Sequence, residues 1–261
     1  MFFAIIIWLI TLVSVVLTVG KYWWLPELAS EHGVALDRQF MLTLVVTGII
    51  FVLAQVALGY LVMRYKDRPG RTADYSHGND KLEVVWTLAT AVVFFALVIP
   101  GQSIWASLHL IPPTEDVVRI EVTGQQFSWN IRYPGADGKF GQLKPELTDD
   151  SGGNALGLDP DDPASSDDLV VPVMAVPVNR NIELMLRSKD VTHAFFVREL
   201  RIKQDAVPGM TIPLRFKPTK IGHYEVACAE LCGLGHHKMR STIQILSDED
   251  YASWLKDQAE E

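Results

Sequence analysis

Cysteine is scarce in this chain: among 261 residues there are two, Cys228 and Cys232. Two thiols cannot supply the disulfide framework of a small secreted domain. A bridge across so short a loop would stabilise little and demands restrictive geometry. No C-x-x-C-H occurs, so the chain carries no attached c-type haem of its own. Internal repeats are absent. Basic residues are outnumbered, 23 Lys and Arg against 31 Asp and Glu, and a net charge of −8 leaves no footprint for nucleic acid. Long apolar runs are missing after residue 112, which assigns that half to a water-soluble domain.

Before residue 112 the pattern reverses. Met1 to Val19 is an uncharged apolar run, followed by Lys21 and the pair Trp23-Trp24. Phe40 to Met63 is a second run, and Val84 to Pro100 a third that continues through Trp105. A bilayer core needs roughly 20 apolar residues per helix, and proline is tolerated in such a helix. The expected anchor is residues 1–111, with helices at about 1–20, 40–64 and 82–108. Loop 64–81 carries Arg64, Lys66, Arg68 and Arg71, with Lys81 beside them, and belongs on the cytoplasmic side. The large C-terminal domain then faces the periplasm of a bacterial inner membrane. The first run lacks the basic start of a secretory signal, and Trp23, Trp24 and Leu25 are poor neighbours for cleavage. It is expected to persist as a third helix, the alternative being cleavage near Ala29.

From Val117 onward, short β-branched segments alternate with turn residues. Val117–Val122, Ile182–Leu186, Thr211–Phe216, Tyr224–Ala227 and Thr242–Leu246 read as strands, which suggests a β-sandwich or barrel over 112–247. Ser247 reads as the N-cap of a helix over 248–261, with Tyr251, Trp254 and Leu255 as its apolar stripe. Residues 135–168 form an acidic insert, nine carboxylates against Lys139 and Lys144. It reads equally as a solvated insertion and as a one-signed patch that steers a basic partner.

The densest chemistry is Cys228-Ala-Glu-Leu-Cys232-Gly-Leu-Gly-His236-His-Lys-Met239, with His193 lying 35 residues upstream. Thiolate, thioether and imidazole together select copper, and a weak thioether tunes copper electron-transfer sites. Two thiolates spaced C-x3-C can bridge two copper ions with His193 and His236 at the ends. Zinc accepts two Cys and two His, but leaves Met239 unexplained, as a disulfide leaves both His236 and Met239. An electron-accepting site is preferred over a hydrolytic one.

C-x-E-x-C-G-x-x-H-x-x-M, with Asp190-Val-Thr-His193 upstream and Lys203-Gln-Asp205-Ala-Val-Pro208-Gly209 following, resembles subunit II of the CuA-containing haem-copper cytochrome c oxidases. The resemblance runs from about residue 40 to the C-terminus. It implies a transmembrane helical hairpin, here with an extra N-terminal helix, followed by a cupredoxin-like Greek-key β-sandwich, a membrane-anchored α+β architecture. It further implies that Cys228, Cys232, His193, His236, Met239 and the carbonyl of Glu230 hold binuclear copper. The Glu230 carboxylate would reach a Mg²⁺ shared with subunit I, the bland alternative being a salt bridge. Glu83, in Leu82-Glu83-Val-Val-Trp86, matches a glutamate at the mouth of a proton path. The implied partners are oxidase subunits I and III, a cytochrome c donor and the lipid bilayer. The activity is oxygen reduction coupled to proton translocation, with the oxygen site in subunit I.

Gly124-Gln-Gln126-Phe127-Ser-Trp129 resembles a family segment whose first tryptophan receives the electron. Here that position is Phe127, while Trp129 is retained. Arg132 stands where many relatives carry a docking glutamate, and Val178 where many carry an aspartate. Asp190 remains as a docking carboxylate. These three changes suggest a donor other than a freely diffusing basic cytochrome c, held within a larger respiratory assembly. A quinol-oxidase subunit would lack the copper ligands. A tethered copper carrier is the competing class, and it would need neither Glu83 nor Glu230.

Overall fold

The computed structural model describes residues 2–21, 24–72, 75–110 and 117–260. The chain forms two compact units, Met1–Leu25 with Ala35–Ile104, and Pro26–Val34 with Trp105–Glu261. The boundary expected at 111/112 lies outside the described residues, as does Trp23.

Three helices, α1 Phe2–Val19, α2 Gly33–Arg64 and α3 Asp80–His109, are each long and apolar enough to cross a membrane. Helix α2 begins seven residues before its expected start at Phe40. The apolar run marks only the lipid-exposed part, and Ala35 to Gln39 are compatible with a helix that begins outside it. At the start of α3 the Asn79 carboxamide oxygen accepts from Leu82 N–H (3.1 Å), an N-cap with Asp80 and Glu83 in the first turn. Pro100 lies inside α3. One residue from the carbonyl it leaves without a donor, Leu97 O accepts from Gln39 Nε2 (2.8 Å) on α2.

Among the described residues the second unit is built on ten strands: β1 Val117–Gln125, β2 Ser128–Tyr133, β3 Leu169–Val171, β4 Met174–Pro177, β5 Asn181–Ser188, β6 His193–Val197, β7 Ile202–Ala206, β8 Ile212–Phe216, β9 Gly222–Cys228 and β10 Arg240–Leu246. They form two five-stranded sheets, β3-β2-β1-β5-β8 and β4-β10-β9-β6-β7. The β1–β5 and β4–β10 pairs are parallel, a crossover that hairpins alone cannot make. The core lies between the sheets. Ile120, Val122, Ile131, Ile182, Leu184 and Leu186 come from one, and Phe195, Val197, Val226, Ile243 and Ile245 from the other. Tyr133 on β2 ties the two together: its hydroxyl donates to Ala175 O (2.8 Å) and accepts from Ala175 N–H (2.7 Å). Burial pushes that phenol well above its ordinary range.

The last helix, α4 Asp248–Glu260, is capped as expected: Ser247 Oγ accepts from Asp250 N–H (3.1 Å) and donates to its carboxylate (2.7 Å). Its Tyr251, Trp254 and Leu255 pack on the core. An element absent from the sequence reading is the segment preceding α2. Ala29 N–H donates to Glu199 O (2.8 Å), Thr219 N–H to Ala29 O (2.8 Å) and Ser30 Oγ to Leu200 O (2.7 Å), and both Ala29 and Ser30 are 1% exposed.

The acidic insert is more ordered than a solvated loop. Two 3-10 turns, Pro145–Leu147 and Pro163–Ser165, punctuate it, and Leu156, Asp159 and Ser165 are buried. Many of its carboxylates serve local structure. Asp149 accepts from Ser151 and Gly152 N–H, Asp162 from Gln142 and Ala164 N–H, and Asp159 pairs with Lys144.

Candidate metal centre

Register explains how residues 35 apart in sequence meet. Strand β6 pairs with β9 through Phe195 opposite Cys228, which sets His193, the first residue of β6, beside the end of β9. The loop leaving β9 returns as β10, closed at its neck by Cys228 N–H to Met239 O (3.1 Å). Within the loop one 3-10 turn, His236–Lys238, directs His236 back toward Cys232.

The five side chains singled out by the sequence converge. Cys228 Sγ lies 3.9 Å from His193 Nδ1 and 3.9 Å from Cys232 Sγ. Cys232 Sγ lies 3.6 Å from His236 Nδ1 and 3.8 Å from Met239 Sδ. The Glu230 carbonyl oxygen is 3.1 Å from Cys228 Sγ. His193 and Met239 are 0% exposed, Cys232 3% and Cys228 8%. Both cysteines are free, and their separation is far beyond a disulfide bond of about 2.05 Å. Burial, with Cys228 adjacent, pushes the Cys232 thiol up to about 11. A metal that binds there therefore displaces a proton held firmly at neutral pH. His193, Cys228 and Cys232 could hold one ion together. The buried thioether adds a soft donor that suits copper better than zinc.

Asp190 turns inward. One of its oxygens meets His193 Nε2 (2.8 Å) and Val191 N–H (2.7 Å), and the other accepts from Gln126 N–H (2.7 Å). Burial alone would raise its pKa, but these hydrogen bonds outweigh it and hold the carboxyl below its ordinary range. A carboxylate on the far ring nitrogen fixes the tautomer that presents Nδ1 to a metal. With its side chain 31% exposed, the same carboxylate also contributes charge at the surface.

The segment that resembles the electron-receiving motif forms the wall of this site. Trp129 is 2% exposed and packs edge-on against His193 (5.9 Å) and Phe195 (5.5 Å), so a donor does not touch it. Phe127 is 38% exposed, and its ring covers Gly233 and Gly235 of the cysteine loop. Sequence reasoning missed two residues beside it. Gln126 Nε2 donates to Cys232 O (2.5 Å), holding the loop from outside. Gly124 admits the imidazole: a Cβ there would stand 2.8 Å from His193 Cδ2. Both stand inside the segment from Gly124 to Trp129 that carried the resemblance, but it assigned neither of them a role.

Two expectations about the docking face are corrected. Arg132 is 1% exposed and bonds Glu121 (2.8 Å), Gly141 O (2.6 Å) and Asp168 (Nε to Oδ2, 3.1 Å), so it is no rim charge. Val178 follows β4, and Pro177 there pairs with Leu246 at the end of β10 remote from Met239; it lies at the opposite end of the sandwich. Glu230 projects an exposed side chain from the loop, His237 and His223 are exposed, and Glu83 is exposed in the first turn of α3.

A cupredoxin-like sandwich with a buried two-thiol, imidazole and thioether cluster, preceded by apolar helices, is a membrane-anchored protein whose site could bind copper. The family described as "Cytochrome C oxidase subunit II, periplasmic domain" matches residues 118–246, and its "transmembrane domain" matches 25–104. The chain is 35% identical to the "Alternative cytochrome c oxidase subunit 2" of Bradyrhizobium diazoefficiens, over 98% of this chain and 91% of the relative. It is 31% identical to cytochrome c oxidase subunit 2 of Thermostichus vulcanus, over 96% of this chain and 84% of the relative. The crystal structure of the periplasmic domain of subunit II of cytochrome oxidase of Bradyrhizobium japonicum shares 31% identity and covers 57% of this chain and 98% of its own, with a TM-score of 0.42. The chain belongs to the cytochrome c oxidase subunit II family, and so to a respiratory oxidoreductase.

Proposed function

We propose that this chain is the electron-accepting subunit of a terminal oxidase. His193, Cys228, Cys232, His236, Met239 and the Glu230 carbonyl would hold binuclear copper, CuA. When bound, that copper pair supplies one-electron transfer between a cytochrome c and the haems of subunit I, where oxygen is reduced and protons are translocated. The observation that carries this reading is the buried convergence of two free thiols with His193, His236 and Met239. The chain's own residues prepare it. Burial excludes water, Asp190 fixes the His193 ring, and Gln126 with Phe127 clamps the loop.

The Glu230 carboxylate is assigned to a Mg²⁺ shared with subunit I, and Glu83 to the mouth of a proton path there. Subunit III and the bilayer complete the surroundings. The basic loop 64–81 supports a cytoplasmic hairpin and a periplasmic domain in a bacterial inner membrane. Of the three changes that suggested a donor held in an assembly, only Phe127 remains at the site. The acidic insert reaches the same end of the sandwich, where Asp150 pairs with Lys189 (2.6 Å) and offsets that cation, so the neighbouring Asp190 sets the sign there, which supports steering of a basic soluble donor. Turnover that is fast with a basic cytochrome c and falls steeply with salt supports that donor; slow, salt-insensitive turnover supports a tethered one.

Electron paramagnetic resonance with metal quantitation on the purified complex tests the central claim. Two coppers in this chain with a seven-line mixed-valence pattern are expected. One copper with a four-line signal, zinc, or no metal would overturn it.

A further inference from the structure

A groove of about 760 Å³ runs between α1 and α2, lined by Val15, Thr18, Lys21 and Trp24 on one side and by Val45 and Val52, among others, on the other. A narrower space of about 320 Å³ continues along the same seam to Trp8. There a side chain closes the seam: a Cβ on Gly59 would stand 2.3 Å from the Trp8 indole nitrogen, so the indole lies directly on the α2 backbone where only glycine leaves room. The groove is therefore open at the Lys21 end and stopped at the Trp8 end.

Its depth is informative. From Trp8 to Val19 the helix rises about 16 Å at 1.5 Å per residue, close to half of a hydrocarbon core about 30 Å thick. A membrane-spanning helix needs the full thickness. A single acyl chain of one leaflet needs half. The walls also suit hydrocarbon. The hydroxyls of Thr18 and Thr47 are spent on their own helix, bonding Ser14 O (2.9 Å) and Thr43 O (2.7 Å). The mouth is cationic and interfacial. Lys21 Nζ sits 5.0 Å from the Trp24 ring centroid and forms no ion pair with any described residue, while Trp24 Nε1 donates to Thr18 O (3.0 Å) at the end of α1.

We infer that the α1–α2 groove is a binding site for one anionic phospholipid, an acyl chain in the groove and the headgroup phosphate on Lys21. An unpaired ammonium at the lipid–water boundary favours an anionic over a zwitterionic headgroup. A bound chain fills the space left between α1 and α2, which gives the extra N-terminal helix a lipid-dependent attachment to the hairpin.

The test uses the complete oxidase in nanodiscs of phosphatidylcholine, with a trace of phosphatidylglycerol or phosphatidylcholine bearing a photoactivatable group in one acyl chain. After illumination, labelled positions are mapped by peptide mass spectrometry. Labelling at Val15, Val45 and Val52 is expected to be roughly fivefold higher with phosphatidylglycerol. Lys21→Gln should bring it down to the phosphatidylcholine level, and Lys21→Arg should retain it. Equal labelling by both probes, or labelling indifferent to Lys21→Gln, would mean ordinary bulk lipid and overturn the site. Absence of labelling by either probe would mean that a protein helix occupies the groove and would overturn it too. An unchanged metal spectrum in Lys21→Gln shows that the variant is intact.

Discussion

Replacing Arg132 by methionine should unfold the β-sandwich more readily than any surface change of comparable size. Its guanidinium, 1% exposed, lies between Glu121 (2.8 Å) and Asp168, whose side chains are 5% and 0% exposed. It also donates to Gly141 O (2.6 Å) and lies 5.2 Å from the Phe140 ring centroid, so it joins β2 to the acidic insert. Arg187 reaches the other oxygen of Glu121 at 3.3 Å, which leaves Asp168 as the carboxylate most exposed to the loss. Breaking a buried pair from one side costs about 3–5 kcal/mol, because the remaining charge stays desolvated. For a domain of this size, that lowers the melting temperature by on the order of 10 °C. Calorimetry of the full chain in detergent measures it. The companion variant Arg132→Met with Asp168→Asn should recover part of the loss, since the carboxamide oxygen still accepts from Gly141 N–H (2.9 Å). Arg132→Glu should be worse than methionine, with three carboxylates in one buried space, and should not tighten docking of a basic cytochrome c. A loss within about 0.5 kcal/mol for Arg132→Met, the range of surface changes, or a well-folded Arg132→Glu with stronger docking, would refute the buried placement.

Three further outcomes are expected. Gly124→Ala places a methyl 2.8 Å from His193 Cδ2 and 3.1 Å from Trp129 Cζ3, so the copper-loaded protein should stay folded while its hyperfine pattern shifts; identical spectra would show that the ring is not held from this side. Burial opposes ionisation of Glu183, but hydrogen bonds from Arg215 (2.8 Å) and Arg119 (3.1 Å) hold its pKa below the ordinary range. Its contribution is therefore complete above about pH 4.3 and is lost as the pH falls further. Urea midpoints between about pH 3 and 5 should accordingly flatten in Glu183→Gln, and an unchanged acid branch would count against the pairing. Glu83→Gln should slow the proton-coupled reductive phase while reduction of the copper site stays fast, and unchanged turnover in stopped-flow kinetics would remove Glu83 from the proton path.

The sequence exposed parts of this fold wherever one force dominated. The helix bodies were legible because lipid demands unbroken apolarity, and β5 because its side chains alternate strictly between core and exterior. Strand β2 was not recognised: Ser128, Asn130 and Arg132 make it read as a turn-rich polar stretch, and only in the fold does Arg132 meet Glu121 and the insert, and Asn130 the Gln125 carboxamide. Strand β4, four buried residues with no alternation, carries no period to read. The attachment of Ala29 and Ser30 depends on hydrogen bonds to distant residues, which leave no local pattern.

The candidate site was legible for a different reason, and the same reason explains where the reading failed. Metal donors are chemically distinctive, and the loop supplies four of the five side chains within twelve residues, so spacing alone constrains them. Docking charges have no such signature. A lysine or carboxylate at a given position reads the same whether it faces a partner, a neighbouring strand or the far end of the domain. Arg132 and Val178 looked like losses from a docking rim only because the family resemblance led to the expectation of acids there. In this chain Arg132 has its own counter-charges, Glu121 on the adjacent strand and Asp168 at the end of the insert. The arginine and the insert thus form one structural unit: a buried cation on β2 requires the carboxylate that the insert brings back to it. Deleting residues 142–160 while keeping Gly141 and Asp168 should spare that ion pair and the fold, and remove the acid beside Lys189. If turnover with a basic cytochrome c then loses its salt dependence, steering resides in the insert; if the salt dependence is unchanged, Asp190 and its immediate surroundings supply it.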